Sequence, residues 1–302
     1  MKKNLLVITT VFPNPNNMML GAYNREIISE LSEYYNIDVI VPIPWTKCFM
    51  SGKPKNWMLN KAKIHHPIFY YPSGILHRVH DDFYYLSISR LIKKLTSHIT
   101  YTAVFGMWLY PDCRVVKKIA HNFSIPYFVK VLGTDVNRLD VRHPLFSQSM
   151  SVLKDAARII CVSEGLKNRL ESLGVSSEKL IVLRNGINKS IFFPCSPEAA
   201  RQKLALPIKQ EIILFVGNLK REKGLHELIC AFDKIRNNQK HSEAILCLVG
   251  EGPFEKELLQ YITLNGMYDS VRFVGRQSSS EVALCATTSN VLTRFSEFRF
   301  TH

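Results

Sequence analysis

The stretch "ILFVGNLKREKGLHELICAF", Ile213 to Phe232, decides the fold. Apolar residues run into Gly217, a polar turn carries Lys220, Arg221 and Lys223, and Gly224 opens a segment in which Leu225, Leu228, Ile229 and Phe232 recur at helical spacing. A buried strand, a short turn and an amphipathic helix together make half of a βαβ unit. The helix's first amides carry a positive partial charge into the space beyond Gly217, where three basic side chains add full charges. The glycines at 217 and 224 remove side chains that would block an anion. A phosphate site fits this junction, and so does an ordinary solvated basic turn, because the pattern is neither a Walker A loop nor GxGxxG.

The rhythm repeats outward from this point. "AILCLVGEGPFEKEL", Ala244 to Leu258, places Gly250, Glu251 and Gly252 at a second strand end, with Pro253 expected at the first helical position. Glu251 suits a sugar or ribose hydroxyl, while a tight turn needing positive φ explains the glycines equally well. "VRFVGR" makes a third strand end at Gly275 and Arg276, followed by a helix from Ser279 and a strand at Asn290–Leu292.

Toward the N-terminus, strands are expected within Asn4–Phe12, Ile37–Pro44, Ala103–Trp108, Tyr127–Gly133, Arg158–Ser163 and Leu180–Gly186. Helices are expected after Gly21, over Asp112–Asn122 and over Glu164–Leu173. Steady alternation of this kind predicts an α/β protein with two doubly wound, Rossmann-like parallel-sheet domains. The domains are drawn at 1–192 and 208–302, with the proline-bearing stretch 193–207 as linker, and ligands are expected in a cleft at the carboxyl ends of the strands.

Composition narrows the partners. The chain has 302 residues, 46% of them apolar, and a formal charge of +14. That length favours two cores, and that charge favours anionic company. Seven cysteines without CxxC spacing read as reduced thiols in a cytoplasmic protein. The opening "MKKNLLVITTVF" reads as a buried strand and not as a signal peptide, and no apolar run approaches the length of a membrane span. A soluble protein, or one resting on a membrane surface, is expected.

Other candidates are open at this stage. Gly21 closes the loop after the first strand. "VLGTDV" sets Gly133, Thr134 and Asp135 at a strand end, where Asp135 either faces the ligand cleft or caps the next segment. "HRVHDD", with His77, His80, Asp81 and Asp82, reads better as a surface loop than as a metal site. "SRLIKKL" reads as an amphipathic core helix in preference to a membrane-surface face. No Ser/His/Asp arrangement, RNA-binding aromatic signature or long basic stripe is present, so hydrolase and nucleic-acid readings lose weight.

Taken together, "ARIICVSEGLKNRLESLGVSSEKLIVLRNGIN", "ILFVGNLKREKGLHELICAF", "LCLVGEGP" and "VRFVGR" resemble the GT-B glycosyltransferases, specifically the large retaining family four. The resemblance implies that the first domain takes the acceptor and the second the nucleotide-diphosphate sugar, with no cofactor and no metal. It implies a lipid-linked or polysaccharide acceptor at the cytoplasmic membrane face. It further implies that Lys223 and the amides at Gly224 hold the donor diphosphate, helped by Gly21, Asn218 and Arg221. Glu251, Gly252, Gly275 and Arg276 would flank the nucleoside and sugar, and Asp135 is the candidate near the reacting centre. Three positions depart from the family pattern. Asn218 stands where relatives carry arginine, and Leu132 where many carry histidine. "TRFSEFRFTH" stands where a Glu-x7-Glu element is expected. A shortened second domain, with a reading-frame change or a premature stop near Thr287 to Arg299, is therefore expected, as is a catalytically inactive remnant as the alternative to an active transferase.

Overall fold

The computed structural model describes residues 2–51, 57–71, 79–204, 206–238 and 241–293. It divides into two compact units, Met1–Ile187 and Asn188–His302.

The first unit is built on an eight-stranded sheet. Its strands are β1 (Asn4–Ile8), β2 (Asn36–Ile40), β4 (Trp57–Leu59), β5 (Ala62–His65), β7 (Ala103–Gly106), β8 (Tyr127–Val131), β9 (Arg158–Cys161) and β10 (Leu180–Val182), in the order β10-β9-β8-β7-β1-β2-β5-β4. All neighbours are parallel except β4, which pairs antiparallel with β5 at the edge. A short parallel pair, β3 (Ile43–Pro44) and β6 (Ile68–Phe69), lies apart. The helices are α1 (Ala22–Leu31), α2 (Trp45–Ser51), α3 (His80–Thr96), α4 (Arg114–Asn122), α5 (Thr134–Asn137), α6 (Phe146–Asp155) and α7 (Glu164–Ser172).

The central strands read as unbroken apolar runs because helices cover both faces. Leu6 and Ile8 point into one core with Val104, Val129 and Val131. Leu5 and Val7 point into the other with Ile28, Val39 and Phe105. Strand β1 pairs with β2 on one side and with β7 on the other, so the chain reverses its winding there. Open α/β sheets bind ligands at such a switch point, outside the carboxyl ends of the strands.

The second unit comprises α8 (Pro197–Lys203), β11 (Ile212–Val216), α9 (Leu225–Arg236), β12 (Ile245–Val249), α10 (Glu255–Leu264), β13 (Val271–Gly275), α11 (Ser279–Thr288) and β14 (Val291–Thr293). Its four parallel strands run β13-β12-β11-β14, which puts the switch point between β11 and β14. Leu225, Leu228, Ile229 and Phe232 of α9 are buried against Phe215, Leu246 and Leu248, as the helical spacing predicts. Val291 and Leu292 on β14 are exposed. Phe295 to Glu297, on which part of the shortened-domain expectation rests, lie outside the described residues.

Several expectations change. The stretch 193–207 is not a bare linker: Ser196 caps α8 by accepting from the Ala199 amide, and the unit boundary falls earlier, between Ile187 and Asn188. The helix expected over Asp112–Asn122 divides into a π-turn, Leu109–Cys113, and α4. Helix α10 starts at Glu255, two residues beyond Pro253. Of "HRVHDD", His80, Asp81 and Asp82 open α3 instead of forming a surface loop, and His77 lies outside the described residues. Asp81 is buried because Arg114 (3.2 Å) and Lys118 (3.3 Å) of α4 neutralise it. Ile92 is buried, and Leu91 and Leu95 pack on the same core, so this part of α3 is a core face. No described helix is long and apolar enough to cross a membrane, and no cluster of three metal-ligating side chains occurs among the described residues.

Candidate functional site

In the second unit the loops after β11 and β12 are laced together by backbone hydrogen bonds. The Gly217 amide donates to Val249 O (2.9 Å), the Leu219 amide to Glu251 O (3.0 Å) and the Phe254 amide to Leu219 O (3.1 Å). Glycine is required where the loops touch. A Cβ at Gly250, whose φ is 138°, would stand 1.9 Å from Gly217 O, and one at Gly252 would stand 2.2 Å from Leu219 O. These two glycines let the strand ends approach, so the close packing of the loops requires both.

The basic turn adopts a single 3-10 turn, Arg221–Lys223, and Gly224 takes the left-handed conformation (φ 65°, ψ 28°) that passes the chain into α9. Its three cations are differently engaged. Lys220 lies 3.8 Å from Glu222. Arg221 pairs with Glu257 of α10 at 2.9 Å and lies over the Phe254 ring. Lys223 has no ion-pair or side-chain hydrogen-bond partner among the described residues. It sits immediately before the N-terminus of α9, where the leading amides are also free of side-chain caps. An anion at this point meets both a full charge and a helix dipole. At the neighbouring strand ends Arg276 lies 3.5 Å from Glu251, so two residues expected to flank the same ligand are indeed side by side.

In the first unit Asp135 neither faces open space nor makes an ordinary cap. Its carboxylate accepts the Gly133 amide at 2.8 Å, the Leu132 amide at 3.0 Å and the Leu109 amide at 3.3 Å. Burial nonetheless raises its pKa against those stabilising bonds. Asp112, in the π-turn after β7, is fully buried. Its Oδ2 accepts the Thr10 amide at 2.6 Å and the Thr10 hydroxyl at 3.1 Å, tying the loop after β1 to the end of β7 across the switch point. Desolvation pushes its carboxyl up to about 7, and Oδ1 has no hydrogen-bond partner.

Lys130 of β8 is buried without a carboxylate. Its ammonium donates to Asn24 Oδ1 (3.1 Å) and Asn185 Oδ1 (2.8 Å) and lies over the Tyr23 ring, and burial lowers its pKa to about 8. Gly21 precedes these α1 residues with φ 61°; a Cβ there would stand 2.3 Å from Val11 O, so glycine lets the loop after β1 close on itself.

Comparison with known proteins places this geometry. Residues 196–296 match the family model "Glycosyl transferases group 1". The match covers about a third of the chain, referred to below as the group 1 region. A putative teichuronic acid biosynthesis glycosyltransferase, TuaC, from Bacillus subtilis is 25% identical over 279 residues, covering 85% of this chain and 67% of the relative. A glycogen synthase from Mycobacterium tuberculosis is 27% identical over 171 residues, covering 54% of this chain and 39% of the synthase. Sucrose-phosphate synthase from Thermosynechococcus elongatus superposes with a TM-score of 0.73 at 16% identity, covering 96% of this chain and 75% of that one. Anabaena HepE, crystallised with UDP, gives 0.64 at 15% identity, covering 96% and 73%. These likenesses show the fold: two Rossmann-like units of the GT-B type.

Within the group 1 region, Asn218, Arg221, Lys223, Gly224, Glu251, Gly252, Gly275 and Arg276 all fall at the carboxyl ends of β11, β12 and β13, as spacing predicts. Gly275 (φ 75°) carries the backbone out of β13, and its carbonyl accepts the Gly250 amide. Sequence reading missed Asp112, Lys130 and Arg201. Arg201 of α8 is buried and donates to the carbonyls of Thr288, Ile208 and Gln210 and to Asn290 Oδ1. The only available signal was a charged residue inside an otherwise buried run, most legible for Lys130 in "YFVKVLG".

Proposed function

We propose that this chain moves a hexose from a nucleotide-diphosphate sugar onto a lipid-linked or polysaccharide acceptor, with retention of configuration. The observation that carries the reading is Lys223, a cation without a side-chain partner among the described residues, at the uncapped N-terminus of α9 beside the switch point of the second unit. When the bond between sugar and diphosphate breaks, negative charge grows on the leaving diphosphate. Lys223 and the first amides of α9 meet that charge, and they meet it more strongly as it grows. Arg221, held by Glu257, and Asn218 line the same turn. Glu251 offers a carboxylate to a sugar or ribose hydroxyl, with Gly252, Gly275 and Arg276 alongside the nucleoside.

The first unit takes the acceptor at its own switch point. Asp135 draws the loop after β8 inward there, with its carboxylate on three amides. HepE, a neighbour in fold, was crystallised with UDP and with UDP-glucose, which supports a nucleotide-sugar donor. Relatives named for teichuronic acid and lipopolysaccharide core synthesis support an envelope glycan acceptor. The charge of +14 suits work at the anionic inner face of the cytoplasmic membrane.

The test is incubation with UDP-, GDP- and ADP-hexoses and bacterial membranes, following nucleotide release and the anomeric configuration of the product by NMR. Transfer with retained configuration supports the reading. Nucleotide binding without release from any donor would leave a binding protein that transfers nothing. Because Lys223 and the helix amides supply the positive charge, transfer is expected to continue undiminished in EDTA; loss of activity that Mg²⁺ or Mn²⁺ restores would contradict this part.

A further inference from the structure

Helix α9 carries a histidine and a cysteine one helical turn apart, His226 and Cys230, and α10 brings Tyr261 against both. Cys230 Sγ lies 3.7 Å from His226 Nδ1 and 3.4 Å from the Tyr261 hydroxyl. The His226 and Tyr261 rings meet edge to face, with centroids 5.3 Å apart. The i, i+4 spacing stacks the first two side chains on one side of the helix. His226 is exposed and Cys230 half-buried, so solvent reaches the pair. Neither is among the residues assigned to the donor. The neighbouring charges are already matched, Arg221 with Glu257 and Asp233 with Arg236.

Imidazole nitrogen and thiolate sulfur are donors that zinc favours. A tetrahedral zinc ion, about 2.3 Å from sulfur and about 2.1 Å from nitrogen, holds two such donors about 3.6 Å apart. The 3.7 Å between Cys230 and His226 therefore needs almost no adjustment. Both donors stand on one regular helix, which leaves little ordering for binding to cost.

We infer that His226 and Cys230 form a zinc site on the α10 side of α9, with waters completing the tetrahedron and Tyr261 donating a hydrogen bond to the bound sulfur. The ion takes the place of the thiol proton, which leaves to solvent, so each ion bound releases a proton. The Tyr261 hydroxyl keeps its own proton, because its hydrogen bond with Cys230 raises its pKa. It thus acts as an outer partner that orients the sulfur. With the ligands on α9 and this partner on α10, the ion fastens one helix to the other. The site is independent of the transfer reading. A thiolate–imidazole pair selects zinc over Mg²⁺ and Mn²⁺, so restoration of transfer by those harder ions concerns the donor site alone.

The experiment is titration of the intact, reduced chain with Co²⁺, a spectroscopic stand-in for zinc, following the near-ultraviolet sulfur-to-cobalt charge-transfer band. It is repeated for Cys230→Ser, His226→Ala and, as controls at the other half-buried thiols, Cys48→Ser and Cys195→Ser. Thermal melts confirm folding. The wild type is expected to show a saturable band that Zn²⁺ abolishes and Mg²⁺ leaves. Cys230→Ser is expected to lose it, His226→Ala to bind about tenfold more weakly, and both controls to keep it. In the wild type, Zn²⁺ is also expected to slow alkylation of Cys230 by iodoacetamide, read by mass spectrometry. No band in the folded wild type, a band that survives in Cys230→Ser, or full affinity in His226→Ala would overturn the inference. Alkylation of Cys230 at the same rate with and without Zn²⁺ would do so as well, whatever the variants' folding.

Discussion

Asp112 and Gly250 show how single residues carry physical burdens that a letter in a sequence does not display. Asp112 stands only as the first residue of an expected helix, yet it is enclosed and its ionised form is disfavoured by desolvation, which raises its pKa to about 7. A carboxyl whose pKa is raised on folding binds more protons folded than unfolded, so its contribution is fully present below the unfolded value, near pH 4, and is lost as pH rises through 7. The stability of the wild-type chain relative to Asp112→Asn is therefore expected to fall between about pH 4 and pH 7 and to level off above. Chemical denaturation of both proteins across that range checks it; a constant difference would contradict the burial argument. At Gly250 the demand is steric. Gly250→Ala combines a φ of 138° with a Cβ 1.9 Å from a carbonyl oxygen, and is expected to cost about 3 kcal/mol or more in the same assay.

At the scale of elements, strand–turn–helix order was legible because buried parallel strands read as apolar runs and each βα turn announces itself with glycine. Three of the four strand ends of the group 1 region, at Gly217, Gly250 and Gly275, were placed this way. What pattern could not deliver was long-range compensation. Helix α8 hid inside a proline-bearing stretch because the partners of Arg201 lie as much as 89 residues away, at Thr288 and Asn290. The antiparallel edge strand β4 escaped because three residues are too few to show a period. Asp81 looked like an exposed acid until α4 brought Arg114 and Lys118 to it. Arg201 is expected to be the fastener of α8. Arg201→Met would strand several buried carbonyls and lower stability by about 2 to 4 kcal/mol, measured by urea denaturation. A loss near zero would mean that α8 is held by its contacts with α11 alone.

At the scale of the whole molecule, two units with separate cores are the feature that composition and length foretold. The boundary at Ile187 and Asn188 was harder to place, because residues 183–196 carry no regular structure and their turn signals, Asn185–Gly186 and Pro194, lie eight residues apart. The excess of positive charge raised the expectation of an anionic partner without saying where it binds; the differing engagement of Lys220, Arg221 and Lys223 is what sets Lys223 apart in the turn after β11. Calorimetry of the full chain is expected to show two transitions, and UDP to raise one of them by mass action. The central claim is that the turn between β11 and α9 holds a nucleoside diphosphate through Lys223. Its most direct test is isothermal titration of UDP into the wild-type chain and Lys223→Ala, with thermal melts confirming that both are folded. A loss of affinity of about tenfold or more is expected, the size of a charge-assisted contact. Equal affinity in the two folded proteins would contradict the account.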